Sequence, residues 1–148
     1  MPSLQPGLLV IQHLGQTHRA IQSAFSNRVG HALPRWRILL ALHELGSSSQ
    51  KVLAERCRLD PASLTRQLQA MQKLGWISRE VDAGDNRLTN ASLTDAGRAV
   101  VQEALPRRAA FFQEMLEGLG EAEIAQLNRT LDVLERNALA AGRGAAEA

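Results

Sequence analysis

The side chains from Ser63 to Lys73 are of the types that read duplex DNA. Ser63, Thr65, Arg66, Gln69, Gln72 and Lys73 lie on one side of a helical repeat, and no acid follows Asp60 until the repeat has ended. Hydroxyls, amides and cations hydrogen-bond base edges in a major groove and the flanking phosphates, whereas a carboxylate there would meet phosphate repulsion. Ala62, ahead of this set, is small enough to touch a thymine methyl. A second chemical pattern follows in Asp85-Asn86-Arg87. A guanidinium beside a tight turn is drawn to the negative potential of a minor groove, and Asp85 is placed to hold it in a bidentate fork. Taken singly, these are an ordinary solvated helix face and a surface ion pair of little energetic value. Their order along the chain favours the nucleic-acid reading.

These residues need elements to position them. Lys51–Cys57 reads as a short helix, Arg58-Leu59-Asp60 as a turn, and Pro61 through Leu74 as a second helix stopped by Gly75. Asp60 has the side chain of an N-cap, and Pro61 follows where its missing donor costs nothing. Leu64, Leu68 and Met71, with Leu74 one turn on, form the stripe expected to be buried. Trp76–Val81 and Arg87–Leu93 read as two strands around the turn chemistry of Asp82–Asn86, with Leu88 and Leu93 facing inward. The expected fold class is mainly α with a small β-wing: a winged helix-turn-helix lobe over residues 34–96, plus N- and C-terminal helices.

Those terminal helices read as a dimerisation module, residues 4–30 and 97–140. From Leu4 to about Arg28, Ile11, Leu14, His18, Ile21 and Phe25 recur at helical steps. From Glu121 to about Ala140, Ile124, Leu127, Leu131, Leu134 and Ala138 make a seam suited to another helix. Between them runs a helix capped by Thr94 and carrying Val101, Leu105, Phe112, Met115 and Leu116. Pro106 inside it is expected to kink or break it. Mutual burial between two copies would cover these stripes and present two helices to DNA half-sites about 34 Å apart. Residues 141–148 read as a flexible tail.

Composition limits the alternatives. The 148 residues suit one domain, and 45% hydrophobic content can fill a core with only 3% aromatics and no Tyr. No run approaches the ~20 apolar residues of a membrane span, and no signal-like N-terminus is present, so a cytoplasmic protein is expected. The net charge of +2 is unevenly spread: residues 1–50 carry net +3, 51–90 net +2, and 117–148 net −3. Basic and acidic ends fit separate DNA and dimer faces, with salt-sensitive affinity. There is no phosphate-cradling glycine loop, metal-pair motif or nucleophile in a catalytic setting, so no enzyme, cofactor or metal is expected. The single Cys57 reads as buried filler, with a redox-sensing thiol as the alternative. A nonspecific architectural DNA protein and a winged protein–protein module are the other competing classes.

PRWRILLAL, LAERCRLDPASLTRQLQAMQKLGWISRE, D-N-R and LTDAGRAV, in that order, resemble the MarR (multiple antibiotic resistance regulator) family over roughly residues 8 to 140. The resemblance implies a homodimer on a pseudo-palindromic operator, most often a repressor, released by a small aromatic or N-heteroaromatic acid. It implies DNA contacts from Ala62, Ser63, Thr65, Arg66, Gln69 and Lys73 on the recognition helix, and from Asp85 and Arg87 in the wing. The residue before Arg87 is often Arg in the family and is Asn86 here, which weakens one expected contact. The family's ligand pocket lies between the dimer helices and the DNA-binding lobe. Its candidates here are His13, Thr17, His18, Trp36 and Arg37, with Trp36 also readable as core, Arg37 as an ion-pair partner and His18 as a structural histidine.

Overall fold

The computed structural model describes residues 5–144. Leu4 of the expected first helix and residues 145–148 of the expected tail lie outside the described residues. The elements are α1 (Gln5–Val29), α2 (Leu33–Leu45), β1 (Ser48–Ser49), α3 (Gln50–Cys57), α4 (Pro61–Lys73), β2 (Ile77–Val81), β3 (Thr89–Leu93), α5 (Asp95–Met115) and α6 (Glu121–Gly144). Among the described residues, six helices and one small antiparallel sheet make the fold mainly α with a wing. The sheet has three strands in the order β1-β3-β2, not two. β1 is only Ser48–Ser49, paired with Ala91 and Asn90, and a two-residue strand has no periodicity to announce it.

Local chemistry sets the boundaries. Ser49 caps α3 by accepting from the Val52 N–H (3.2 Å), and Asp60 caps α4 by accepting from Ser63 (2.9 Å). α4 ends in a Schellman arrangement. Gly75 sits at φ 76°, its N–H donates to the Gln72 carbonyl, and the Trp76 N–H donates to the Met71 carbonyl. Leu64, Leu68 and Met71 are buried, but Leu74 is 51% exposed. The helix ends at Lys73, and the reversal at Gly75 turns the chain before Leu74 can reach the core. Leu88 is likewise exposed while Leu93 is buried, because the second strand starts at Thr89 and leaves Leu88 in the turn.

By residue contacts the chain divides into two compact units, one ending at Phe112 and one beginning at Gln113. The first holds the core: Phe25 and Val29 of α1, Trp36, Ile38, Leu39 and Leu42 of α2, Leu53 of α3, the α4 stripe, Ile77, Ala91 and Leu93 of the sheet, and Val101, Ala104 and Phe111 of α5. Phe25 meets Phe111 edge to face at 5.6 Å. The α1 stripe is buried only at its C-terminal end. Ile11 and Leu14 are exposed, and so is His18. α5 is continuous through Pro106. A break was one of the two expected outcomes. Both Pro106 and Gln102, whose carbonyl loses its helical donor, are exposed, so water can satisfy that carbonyl.

In the second unit, α6 has no buried residue: Ile124, Leu131 and Leu134 are half-buried, and Leu127 and Leu139 are exposed. The helix continues past the expected tail boundary at 141 as far as Gly144, because Ala138, Ala140 and Ala141 are strong helix formers that offset Gly142.

Candidate nucleic-acid interface

α4 displays its polar face on a fixed N-terminus. The Asp60 carboxylate accepts from both the backbone N–H and the hydroxyl of Ser63 (2.9 and 2.6 Å). Those two bonds, more than the Arg66 charge, hold the Asp60 carboxyl below its ordinary range. With its proton given to Asp60, the Ser63 oxygen accepts from Arg66 (3.0 Å). The Thr65 hydroxyl donates back to the Pro61 carbonyl at 2.9 Å. Ala62, Arg66, Gln69, Gln72 and Lys73 are exposed, while Ser63 and Thr65 are half-exposed. One continuous helix face therefore carries all six recognition-helix candidates, and its only acid is the cap.

The wing turn is organised by two aspartates. Asp82 accepts from the N–H groups of Gly84 (2.8 Å) and Asp85 (3.1 Å) and from the Asn90 amide (2.7 Å). The Asn90 bond is the largest of the influences that push the Asp82 carboxyl down. Asp85 does not fork the Arg87 guanidinium. Its carboxylate accepts from the Arg87 backbone N–H at 3.0 Å instead. An Asp side chain reaches the backbone two residues on with little loss of freedom, whereas a fork would immobilise a long exposed arginine. Asp85 thus shapes the turn, and Arg87 is exposed at its tip.

Several bonds tie this surface to the lobe behind it. Arg79 of β2 donates to Gln72 of α4 at 2.8 Å. Arg35 of α2 donates to Gln67 of α4 (3.4 Å) and lies 6.0 Å over the Trp76 ring. The Thr94 hydroxyl donates to the Gly75 carbonyl (2.6 Å) and accepts from the Gly97 N–H (3.1 Å), so one residue both caps α5 and anchors the end of α4. Gly97 is packed against the chain: a Cβ there would stand 2.0 Å from the Trp76 carbonyl oxygen.

The expected ligand residues are not brought together. Trp36 is buried, but His13, Thr17 and His18 are exposed on α1, and no hydrogen bond or ring contact joins them to it among the described residues. Arg37, next in sequence to Trp36, points about 100° away around the helix. It lines a depression with Leu40, Glu44, Arg56, Cys57 and Arg58, where Glu44 pairs with Arg56 (2.8 Å) and not with Arg37. What surrounds Trp36 is His31, stacked at 6.3 Å, and His31 in turn meets Trp76 edge to face at 5.6 Å. Burial, then Arg107, then Arg35 push the His31 pKa below 6.5, with Glu103 opposing. The buried Trp36 Nε1–H has no hydrogen-bond partner among the described residues. Cys57 is buried too, and burial pushes its thiol up, outweighing the pull of Arg37 and Arg56. That disfavours the thiolate on which redox sensing depends.

The sequence model of the MarR family matches residues 32–89, from the start of α2 into β3, which is the segment carrying α4 and the wing. Over residues 32–89 the chain matches the MarR family. Among curated relatives, the HTH-type transcriptional regulator YdgJ of Bacillus subtilis is 29% identical over 86% of the chain and 76% of YdgJ. The HTH-type transcriptional repressor IacR of Pseudomonas putida is 29% identical over 71% of the chain, and the match spans 63% of IacR. Among solved structures, a probable transcriptional regulator from Pseudomonas aeruginosa superposes with a TM-score of 0.76 at 28% identity, covering 82% of this chain and 92% of that one. Two others share the fold. Bordetella bronchiseptica BpsR, described with 6-hydroxynicotinic acid as regulator of its DNA binding, has a TM-score of 0.75 at 21% identity, covering 86% and 98%. A mutant of Escherichia coli MarR in complex with operator DNA has a TM-score of 0.81 at 17% identity, covering 90% and 99%.

Sequence reading missed His31, Arg35, Gln67, Arg79 and Arg107. Gln67 falls between the polar face and the apolar stripe of α4, so periodicity assigns it to neither. His31 and Arg35 are neighbours in sequence, but Trp76 and Arg107 are far from them in the chain, and no spacing rule brings these segments together. Arg79 could have been found: a cation in a strand beside a polar recognition helix is the expected neighbour of a backbone phosphate.

Proposed function

We propose that this MarR-family chain is a ligand-responsive transcriptional repressor that binds a pseudo-palindromic operator as a homodimer. The observation that carries the reading is the face of α4, where hydroxyls, amides and cations follow a single capping acid and stand beside an exposed wing arginine. Ser63, Thr65, Arg66 and Gln69 enter the major groove, with Ala62 against a thymine methyl and Lys73 on phosphate. Arg87 enters the adjacent minor groove from the turn that Asp85 shapes. Two further features support a homodimer. Ile11 and Leu14 on α1 are exposed, and so are Leu127 and Leu139 on α6. Exposed apolar side chains recurring at helical steps suit burial against a second copy.

The effector is a small aromatic or N-heteroaromatic acid. The buried Trp36 N–H, unpartnered among the described residues, stands beside His31, on which Arg35 and Arg107 act; together they supply aromatic faces and donors for a carboxylate, so Trp36 belongs to its seat and Arg37 does not. The repressor name of IacR and the hydroxynicotinic acid of BpsR agree with this reading. Selecting bound sequences from a random DNA pool tests the operator, with one inverted repeat as the expected outcome. Titrating hydroxynicotinic and hydroxybenzoic acids against that complex tests the effector. Trp36→Phe is expected to bind DNA and to lose release, whereas His18→Ala is expected to be released normally. Coating of DNA without sequence preference would favour an architectural protein instead.

A further inference from the structure

We infer that Arg79, held by Gln72, forms with Lys73 a seat for one DNA backbone phosphate between the recognition helix and the wing. The inference rests on the duplex-DNA reading above. A depression of about 510 Å³ opens at this place, lined by Gln69, Gln72 and Lys73 of α4 and by Arg79 of β2. Two cations and two amides line it and no acid does, so its donors converge on a space with no counter-charge of its own. Arg79 spends its Nε–H on Gln72 (2.8 Å), which fixes the plane of the guanidinium and leaves its two terminal nitrogens for an outside acceptor. A planar, pre-oriented guanidinium beside a lysine suits a tetrahedral anion: the arginine gives paired donors and the lysine a point charge.

The place on the molecule selects the anion. Gln69 and Lys73 continue the α4 face that carries Ser63 and Arg66, at three- and four-residue steps. The seat is therefore at the C-terminal end of the helix, where the chain leaves the groove and meets the strand of phosphates bordering it. Contacts of this kind set register and affinity and carry no base information. Gln72 acts as a positioning residue for Arg79.

The test measures binding to a 30-base-pair random duplex and to the selected operator across a salt series, for the wild type, Arg79→Gln, Arg79→Lys and Lys73→Gln, with thermal melting to confirm folding. Arg79→Gln and Lys73→Gln are each expected to lower affinity by the same factor on both duplexes. Each should also reduce the slope of log K against log salt by about one. Arg79→Lys restores the slope. Lys73 is exposed, so its variant remains readable should Arg79→Gln melt early. An unchanged slope in both neutral variants, or a loss confined to the operator, overturns the seat; the latter would make these residues base readers. A wild type that binds no duplex rejects the DNA reading and the seat together. A wild type that binds both duplexes equally rejects the operator reading alone, and the seat is then decided on the random duplex.

Discussion

Arg66 is parked in the free protein. Its guanidinium rests on the Ser63 hydroxyl, which is itself committed to Asp60. Reaching a guanine requires Arg66 to leave an exposed hydrogen bond of small net worth, so little opposes the move. Arg66→Ala is expected to cost about 1–3 kcal/mol of operator affinity if the contact is bidentate. Fluorescence anisotropy with base-substituted operators checks this, because discrimination at one base pair should relax. His31 gives a separate signature. Its folded pKa lies below 6.5, so between those values the unfolded chain binds a proton that the folded chain resists. Stability from this group is complete above about pH 6.5 and falls as the pH drops toward the depressed value. Urea unfolding from pH 7 to 5 should show the decline, and His31→Gln should remove part of its slope. Asp60 and Asp82 act in another window: their carboxyls are held below 3.8, so their stabilisation is lost only in stronger acid.

At the scale of elements, α4 is aimed by what meets its far end. Gly75 reverses the chain, Thr94 clasps the Gly75 carbonyl, and Gly97 lets the first turn of α5 lie against the Trp76 backbone. The clash awaiting a Cβ at Gly97 is with main chain, which no rotamer can relieve. Gly97→Ala should therefore destabilise by about 3 kcal/mol, the upper end of overpacking costs, and thermal melting should fall by several degrees. Thr94→Val keeps the shape and removes both bonds of the hydroxyl, leaving the Gly75 carbonyl and the Gly97 N–H to find water. It should cost about 1–2 kcal/mol. Both variants should also weaken DNA binding beyond their effect on the folded fraction, because they loosen the turn that orients α4.

For the whole molecule, the question is what covers the apolar surface of α1 and α6. Leu127 lies on the α6 seam, is 49% exposed and contributes nothing to the core of the first unit. On the proposed homodimer, Leu127→Glu should leave the winged lobe folded and make the protein monomeric in sedimentation, with operator affinity falling toward that of a single half-site. A second copy that still assembles would place the interface elsewhere. Salt dependence should fall with it, since one half-site neutralises fewer phosphates than two.

Period, cap and turn chemistry are local properties, and they were legible from residues alone. The 3.6-residue stripe of Leu64, Leu68 and Met71, the Asp60-Pro61 start and the Asp- and Gly-rich wing turn announced the helix, the face it shows and the hairpin beside it. Local rules stop where a contact spans the chain. The Arg35–Gln67 bond joins residues 32 apart in sequence, the two-residue strand β1 exists only through β3, and His31 faces Trp36 and Trp76 because three segments converge. The same limit explains Asp85, where a side-chain pair was expected and the nearer backbone N–H won. Sequence determined which residues form the polar face of α4, because helical periodicity is set by the backbone. Only tertiary packing decided which side chains aim that face and which surround the buried tryptophan, because packing depends on distances that no spacing encodes.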